Sequence, residues 1–111
     1  MPTFSDAYGS MTVLGVEPAL TKAEAQEFHL AAEVQIHGGG RWFVLDMARV
    51  GGFDSQGLEE LLWFQEQVDA AGGVVKVAGL KGHGRTIFEM VRFDKKFQVF
   101  ENVHEAVKSF Q

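Results

Sequence analysis

A chain of 111 residues, 46% hydrophobic with only two prolines, is the size of one domain with an ordinary core. It has no cysteine, which excludes disulfides and thiolate metal sites, and its formal net charge of −5 disfavours a nucleic-acid partner. No apolar run approaches the roughly 20 residues that cross a bilayer, and no basic-then-apolar segment opens the chain. Neither membrane insertion nor a signal peptide is expected, and a cytoplasmic location fits the composition.

Residues 1–10 carry no clear period and read as a flexible N-terminal arm or a weak edge strand. Met11–Val16 reads as a strand that Pro18 ends. Thr21 and Glu24 form a capping box, opening a helix to about Ile36 with Ala25, Phe28, Ala32 and Ile36 on one face. Gly38-Gly39-Gly40 stops it. The apolar run Arg41–Asp46 predicts a strand buried on both sides. A second helix is expected from Ser55 to Ala71, with Leu58, Leu61, Leu62 and Val68 inward, ended by Gly72-Gly73. Val74–Val77 is a third strand. Thr86–Arg92 reads as a short helix with Ile87, Met90 and Val91 inward, and Phe97–Phe100 as a last strand. Asn102 and Glu105 cap a final helix through Phe110. Alternating strands and helices predict an α/β domain with largely parallel pairing.

The junction between the second strand and the second helix concentrates the chemistry. Asp54 and Ser55 fall at the helix start, where a side-chain oxygen can accept from unpaired backbone N–H groups. A phosphate on Ser55 would meet those donors and the positive end of the helix dipole. Ser55 is therefore either an ordinary N-cap or a modification site. Asp54 is either a cap or a group that orients the serine.

The order of these pieces resembles the STAS domain, the fold of bacterial anti-sigma factor antagonists. Val44-Leu45-Asp46-Met47 is similar to the family's strand end, and Phe53-Asp54-Ser55-Gln56-Gly57-Leu58 to its phosphorylation motif. Gly15-Val16-Glu17, Gly72-Gly73-Val74-Val75 and Glu105-Ala106-Val107 resemble the segments before the first helix, at the third strand and in the closing helix. The resemblance spans roughly residues 11–110, so 11–111 is taken as a single STAS domain. Gln56 stands where a small residue is usual. Gly52 replaces an apolar residue and is expected to loosen the loop. The resemblance implies a central mixed sheet of about four strands flanked by four helices. It implies a non-enzymatic bacterial regulator of transcription that binds a serine kinase anti-sigma factor when unphosphorylated. Phosphorylation at Ser55 and a phosphatase would complete the cycle. The alternative is a constitutive STAS subunit of a larger assembly: the accessory subunit of a phospholipid ABC transporter, or a stressosome-like scaffold. No cofactor is implied, and a homodimer remains open.

The expected partner surface comprises Gly52, Phe53, Asp54, Gln56, Glu59, Trp63 and Glu66. Helical geometry points Trp63 away from Leu58 and Leu61, beside Glu59 and Glu66, as an aromatic anchor unless another segment covers it. Lys81, Arg85, Arg92, Lys95 and Lys96 cluster against Glu89 and Asp94, while Glu59, Glu60, Glu66 and Asp69 share a helix. Such runs are solvated faces or docking edges of opposite sign. Gly82-His83-Gly84-Arg85-Thr86 lacks the spacing of a nucleotide loop and reads as a turn. His29, His37, His83 and His104 show no metal-ligand spacing and read as surface or capping residues. Asp46 and Asp54 could form a carboxylate pair, but no catalytic constellation accompanies them.

Overall fold

Side-chain alternation along the strands decides the architecture. The computed structural model describes residues 3–8 along the backbone and 11–111 in full. Five strands form one sheet in the order of the chain: β1 (Thr3–Tyr8), β2 (Met11–Val16), β3 (Trp42–Asp46), β4 (Val74–Ala78) and β5 (Gln98–Phe100). β1 runs antiparallel to β2, and the other neighbours pair in parallel. Each parallel step needs a crossover, supplied by α1 (Lys22–His37), by α2 (Ser55–Ala70), and by α3 (Gly82–Met90) with α4 (Phe93–Lys96). α5 (Val103–Lys108) follows β5.

The register puts Leu14, Leu45 and Val77 on one face and Val13, Val44 and Lys76 on the other. The first face carries the main core, where Phe28 and Ala32 of α1, Leu61, Phe64 and Val68 of α2, and Phe88, Phe93 and Phe97 meet the strands. Phe64 sits at its centre, edge-on to Phe28 and Phe43. α5 covers the second face, with Ala106 against Val13, Val44 and Ala78. β3 is thus buried on both sides, as its continuous apolar run predicts.

The fold has five strands and five helices among the described residues, against the four and four expected. The edge strand at Thr3–Tyr8 accounts for one addition, and α4 for the other; residues 1, 2, 9 and 10 of the expected arm lie outside the described residues. α3 corrects the sequence reading in two ways. It begins at Gly82, so the glycine-rich stretch is its first turn. It also buries Gly84 and Phe88, leaving Met90 and Val91 exposed. The reason is space: a Cβ at Gly84 would lie 3.2 Å from Leu80 and 3.4 Å from Phe53, so the helix approaches the core through its glycine.

Candidate functional site

Two loops meet at the C-terminal ends of the parallel strands, where open α/β sheets place their binding sites. The loop after β3 is tied to the loop after β2. Gly51 N–H donates to the Pro18 carbonyl (2.7 Å), and Leu20 N–H donates to the Gly52 carbonyl (3.0 Å). Leu20 and Phe53 add an isolated parallel bridge. Gly52 therefore does not loosen this loop. Phe53 is half-buried against Phe88, with ring centroids 5.7 Å apart.

Asp54 is the N-cap of α2, and its carboxylate serves two helices. One oxygen accepts from Gly57 N–H (2.9 Å), the other from Lys22 N–H (2.8 Å) at the first residue of α1. These donors, Gly57 foremost and then Lys22, hold the Asp54 carboxyl below the ordinary aspartate range. Glu24 closes the capping box of α1. Its carboxylate accepts from the Thr21 hydroxyl and the Thr21 N–H, and these two bonds, in that order, lower its pKa. Gly57 is required for the same junction: a Cβ there would lie 1.9 Å from the Leu20 carbonyl oxygen. The glycine lets the first turn of α2 lie against the entry to α1.

With Asp54 capping, Ser55 is released from that duty. It is the first residue of α2, it is exposed, and among the described residues its hydroxyl makes no hydrogen bond within the chain. The N-cap reading of Ser55 is thus replaced by Asp54. Gln56, Glu59 and Glu66 are also exposed, and Glu59 and Glu66 follow Ser55 along one side of the helix. Asp46 does not pair with Asp54; its carboxylate accepts from Ala48 N–H (3.1 Å) and holds the β3 exit turn.

Trp63 does not stand free as helical geometry alone suggests. It is half-buried and stacks on His29 of α1, with ring centroids 3.7 Å apart. Nδ1 of His29 lies 2.8 Å from Glu60, and Nε2 lies 3.7 Å from Glu33. His29 is therefore neither a simple surface histidine nor a cap. It bridges α1 to α2 beside the tryptophan. The one legible signal was the spacing of His29 and Glu33, one helical turn apart.

Sequence reasoning also missed Lys76. This side chain is only 7% exposed, and its Nζ donates to the Ser109 hydroxyl (2.7 Å) and lies 3.9 Å from the centre of the Phe110 ring. Burial pushes its pKa down. Among the described residues no group of three or more His, Asp or Glu side chains could hold a metal ion, and no helix is long and apolar enough to cross a membrane.

A sheet of four parallel strands with one antiparallel edge strand, covered by helices and carrying an exposed serine at the first turn of the helix after its central strand, defines a small α/β domain. The chain belongs to the STAS domain family, whose profile matches residues 5–106. A protein of Bordetella bronchiseptica named "Putative anti-sigma factor antagonist BtrV" is 26% identical over 106 residues, which is 96% of this chain and 91% of that one. The phosphorylated form of SpoIIAA, a cell-fate determinant from Bacillus, has the same fold. Its TM-score is 0.78 at 14% identity, covering 98% of this chain and 99% of that one. A sulfate transporter family protein from Wolinella succinogenes superposes with a TM-score of 0.83 at 19% identity, covering 94% of this chain and 87% of that one.

Proposed function

We propose that this STAS domain is an anti-sigma factor antagonist that binds a serine kinase anti-sigma factor and is released when that kinase phosphorylates Ser55. The observation that carries the reading is the division of labour at the start of α2. Asp54 takes the cap, so the Ser55 hydroxyl projects unbonded into solvent. The similarity to BtrV, named "Putative anti-sigma factor antagonist", supports the partner class.

The physics of the switch is local. Phosphate adds about −1.5 to −2 charges. It would stand beside the ionised Asp54 and one turn from Glu59. The positive end of α2 tolerates that charge within the domain. A partner presenting a carboxylate or an apolar patch to Ser55 does not. Binding is therefore lost without unfolding. Gly52, Phe53 and Gln56 flank the serine, Glu59 and Glu66 continue along the same side of α2, and together they form the rest of the contact surface. Trp63 contributes through its exposed part only. A phosphatase resets the cycle, and the protein acts in the cytoplasm as a binding module rather than an enzyme.

The test is to incubate the chain with its kinase partner and ATP and map the phosphate by mass spectrometry. Phosphate on Ser55, abolished in Ser55→Ala, is the expected result. Phosphate elsewhere, or none, defeats the reading. A second reading, a constitutive STAS subunit of a larger assembly, is favoured by the transporter-family likeness and by bulky Gln56 beside the serine. It predicts binding that is indifferent to Ser55.

A further inference from the structure

The turn between α3 and α4 presents a surface that the Ser55 switch does not use. Met90 is 75% exposed and Val91 40% exposed, side by side at the end of α3. Arg92, Lys95 and Lys96 follow, all exposed, and among the described residues none of the three forms an ion pair. With the exposed Glu89 and Asp94 among them, residues 89–96 carry three positive and two negative side chains, a net charge of +1 on a chain whose net charge is −5. The platform beneath is firm. Phe93 and Phe97 are buried in the main core, and the Gln65 side chain donates to the Lys96 carbonyl (2.6 Å). The exposure of Met90 is a property of a seated turn, not of a frayed end.

Arg92 adds a second observation. It is the one non-glycine residue with positive φ among the described residues, at φ 66° and ψ 23°. Glycine adopts this left-handed conformation without the steric cost an arginine bears. Among the described residues the arginine gains no ion pair to offset that cost. A strained residue with an unpaired guanidinium beside bare apolar side chains is explained if the side chain serves a contact outside the chain.

We infer that the α3–α4 turn is a second docking surface, for an acidic amphipathic segment of a protein partner. Met90 and Val91 would receive its apolar side chains, and Arg92, Lys95 and Lys96 its carboxylates. Charge complementarity selects this occupant, because Arg92, Lys95 and Lys96 outnumber Glu89 and Asp94. Two apolar side chains on an acidic protein are a poor membrane anchor, because the rest of the chain is repelled by anionic lipid. The surface is separate from Ser55, so the inference stands or falls independently of the proposed switch.

The test uses the full chain, isotope-labelled for NMR, titrated with a synthetic amphipathic helical peptide of leucine and glutamate. The same peptide with lysine for glutamate is the control. The acidic peptide is expected to shift the amides from Ile87 to Phe97, less so at high salt. Arg92→Glu with Lys95→Glu should weaken binding about tenfold or more, and Met90→Ser severalfold. Arg92→Gly should melt at a higher temperature yet bind the peptide more weakly, a pair of changes that a merely structural role would not produce. The inference is overturned if neither peptide shifts these amides or if both do so equally. It is also overturned if phosphatidylglycerol vesicles shift them while the acidic peptide does not. Sedimentation showing that the same charge reversal dissolves a dimer of this chain would assign the surface to a second copy and would likewise overturn it.

Discussion

Replacing Gly57 by alanine sets two effects of opposite sign against each other. Within a helix the change should stabilise by about 1 kcal/mol, because glycine is a poor helix former. Against this, the new Cβ would lie 1.9 Å from the backbone oxygen and 2.7 Å from the carbonyl carbon of Leu20. Both contacts are backbone, so no side chain can rotate away. Real Cβ atoms essentially never come within 3.0 Å of another heavy atom, so α2 and the entry to α1 must part by about 1 Å. That shift disturbs the packing of Leu20, which is fully buried, and the bond from Lys22 N–H to Asp54. Overpacking costs of about 1–3 kcal/mol, together with roughly 1 kcal/mol for a disturbed hydrogen bond, outweigh the propensity gain. The net loss should be about 2 kcal/mol, or a melting temperature lower by about 10 °C for a domain of this size. Thermal melts and urea titrations followed by circular dichroism measure it. Gly52→Ala is the control, since a Cβ there meets nothing within 4 Å, and it should stay within about 0.5 kcal/mol of the parent. Gly57→Ala as stable as the parent, or more so, would refute the close approach of α2 to the α1 entry.

Trp63→Ala should cost about 1–2 kcal/mol of stability, because the ring is half-buried and stacked on His29, and urea titration would show it. Lys76→Met should change stability at neutral pH by no more than about 1 kcal/mol, since the lost contacts to Ser109 and Phe110 are offset by the ammonium's desolvation. The Ser109 hydroxyl keeps a partner, as it already donates to the Ala106 carbonyl (2.6 Å). The pH dependence has a definite sign. The lowered pKa of Lys76 means the unfolded chain binds more protons at alkaline pH, so parental stability should rise as pH climbs through the folded pKa, and Lys76→Met should lack that rise. Asp54 follows the same sign at acid pH. Its lowered pKa contributes stability that is fully present above the unfolded aspartate value and is lost as pH falls through the folded one, so Asp54→Asn should be less stable at neutral pH and less sensitive to acid.

The elements that depend on local chemistry were legible in the sequence. Thr21 and Glu24 mark the start of α1, Gly72-Gly73 the end of α2, and Asn102 the start of α5, whose side chain accepts from Glu105 N–H (2.9 Å). Where the reading failed, a distant part of the chain decided the outcome. α3 takes its inward face from Leu80 and Phe53 meeting Gly84, which no helical period reveals. Lys76 looks like a polar interruption between Val75 and Val77, and only the docking of α5 on the second face of the sheet buries it. Trp63 has an outward angle on an isolated helix, yet the approach of α1 brings His29 onto its ring. At the candidate site the motif located Ser55, but the double use of Asp54 depends on a helix start 32 residues earlier.

The central claim is that charge at Ser55 controls binding while the fold stays intact. Isothermal titration of the kinase anti-sigma factor with the unmodified chain, with Ser55→Ala and with the chain phosphorylated at Ser55 tests it most directly. Unmodified chain and Ser55→Ala should bind alike, and phosphorylation should weaken binding at least about 100-fold, or roughly 2.7 kcal/mol, with an unchanged melting temperature. Equal affinity of the phosphorylated and unmodified forms, or phosphorylation that unfolds the domain, would contradict the account.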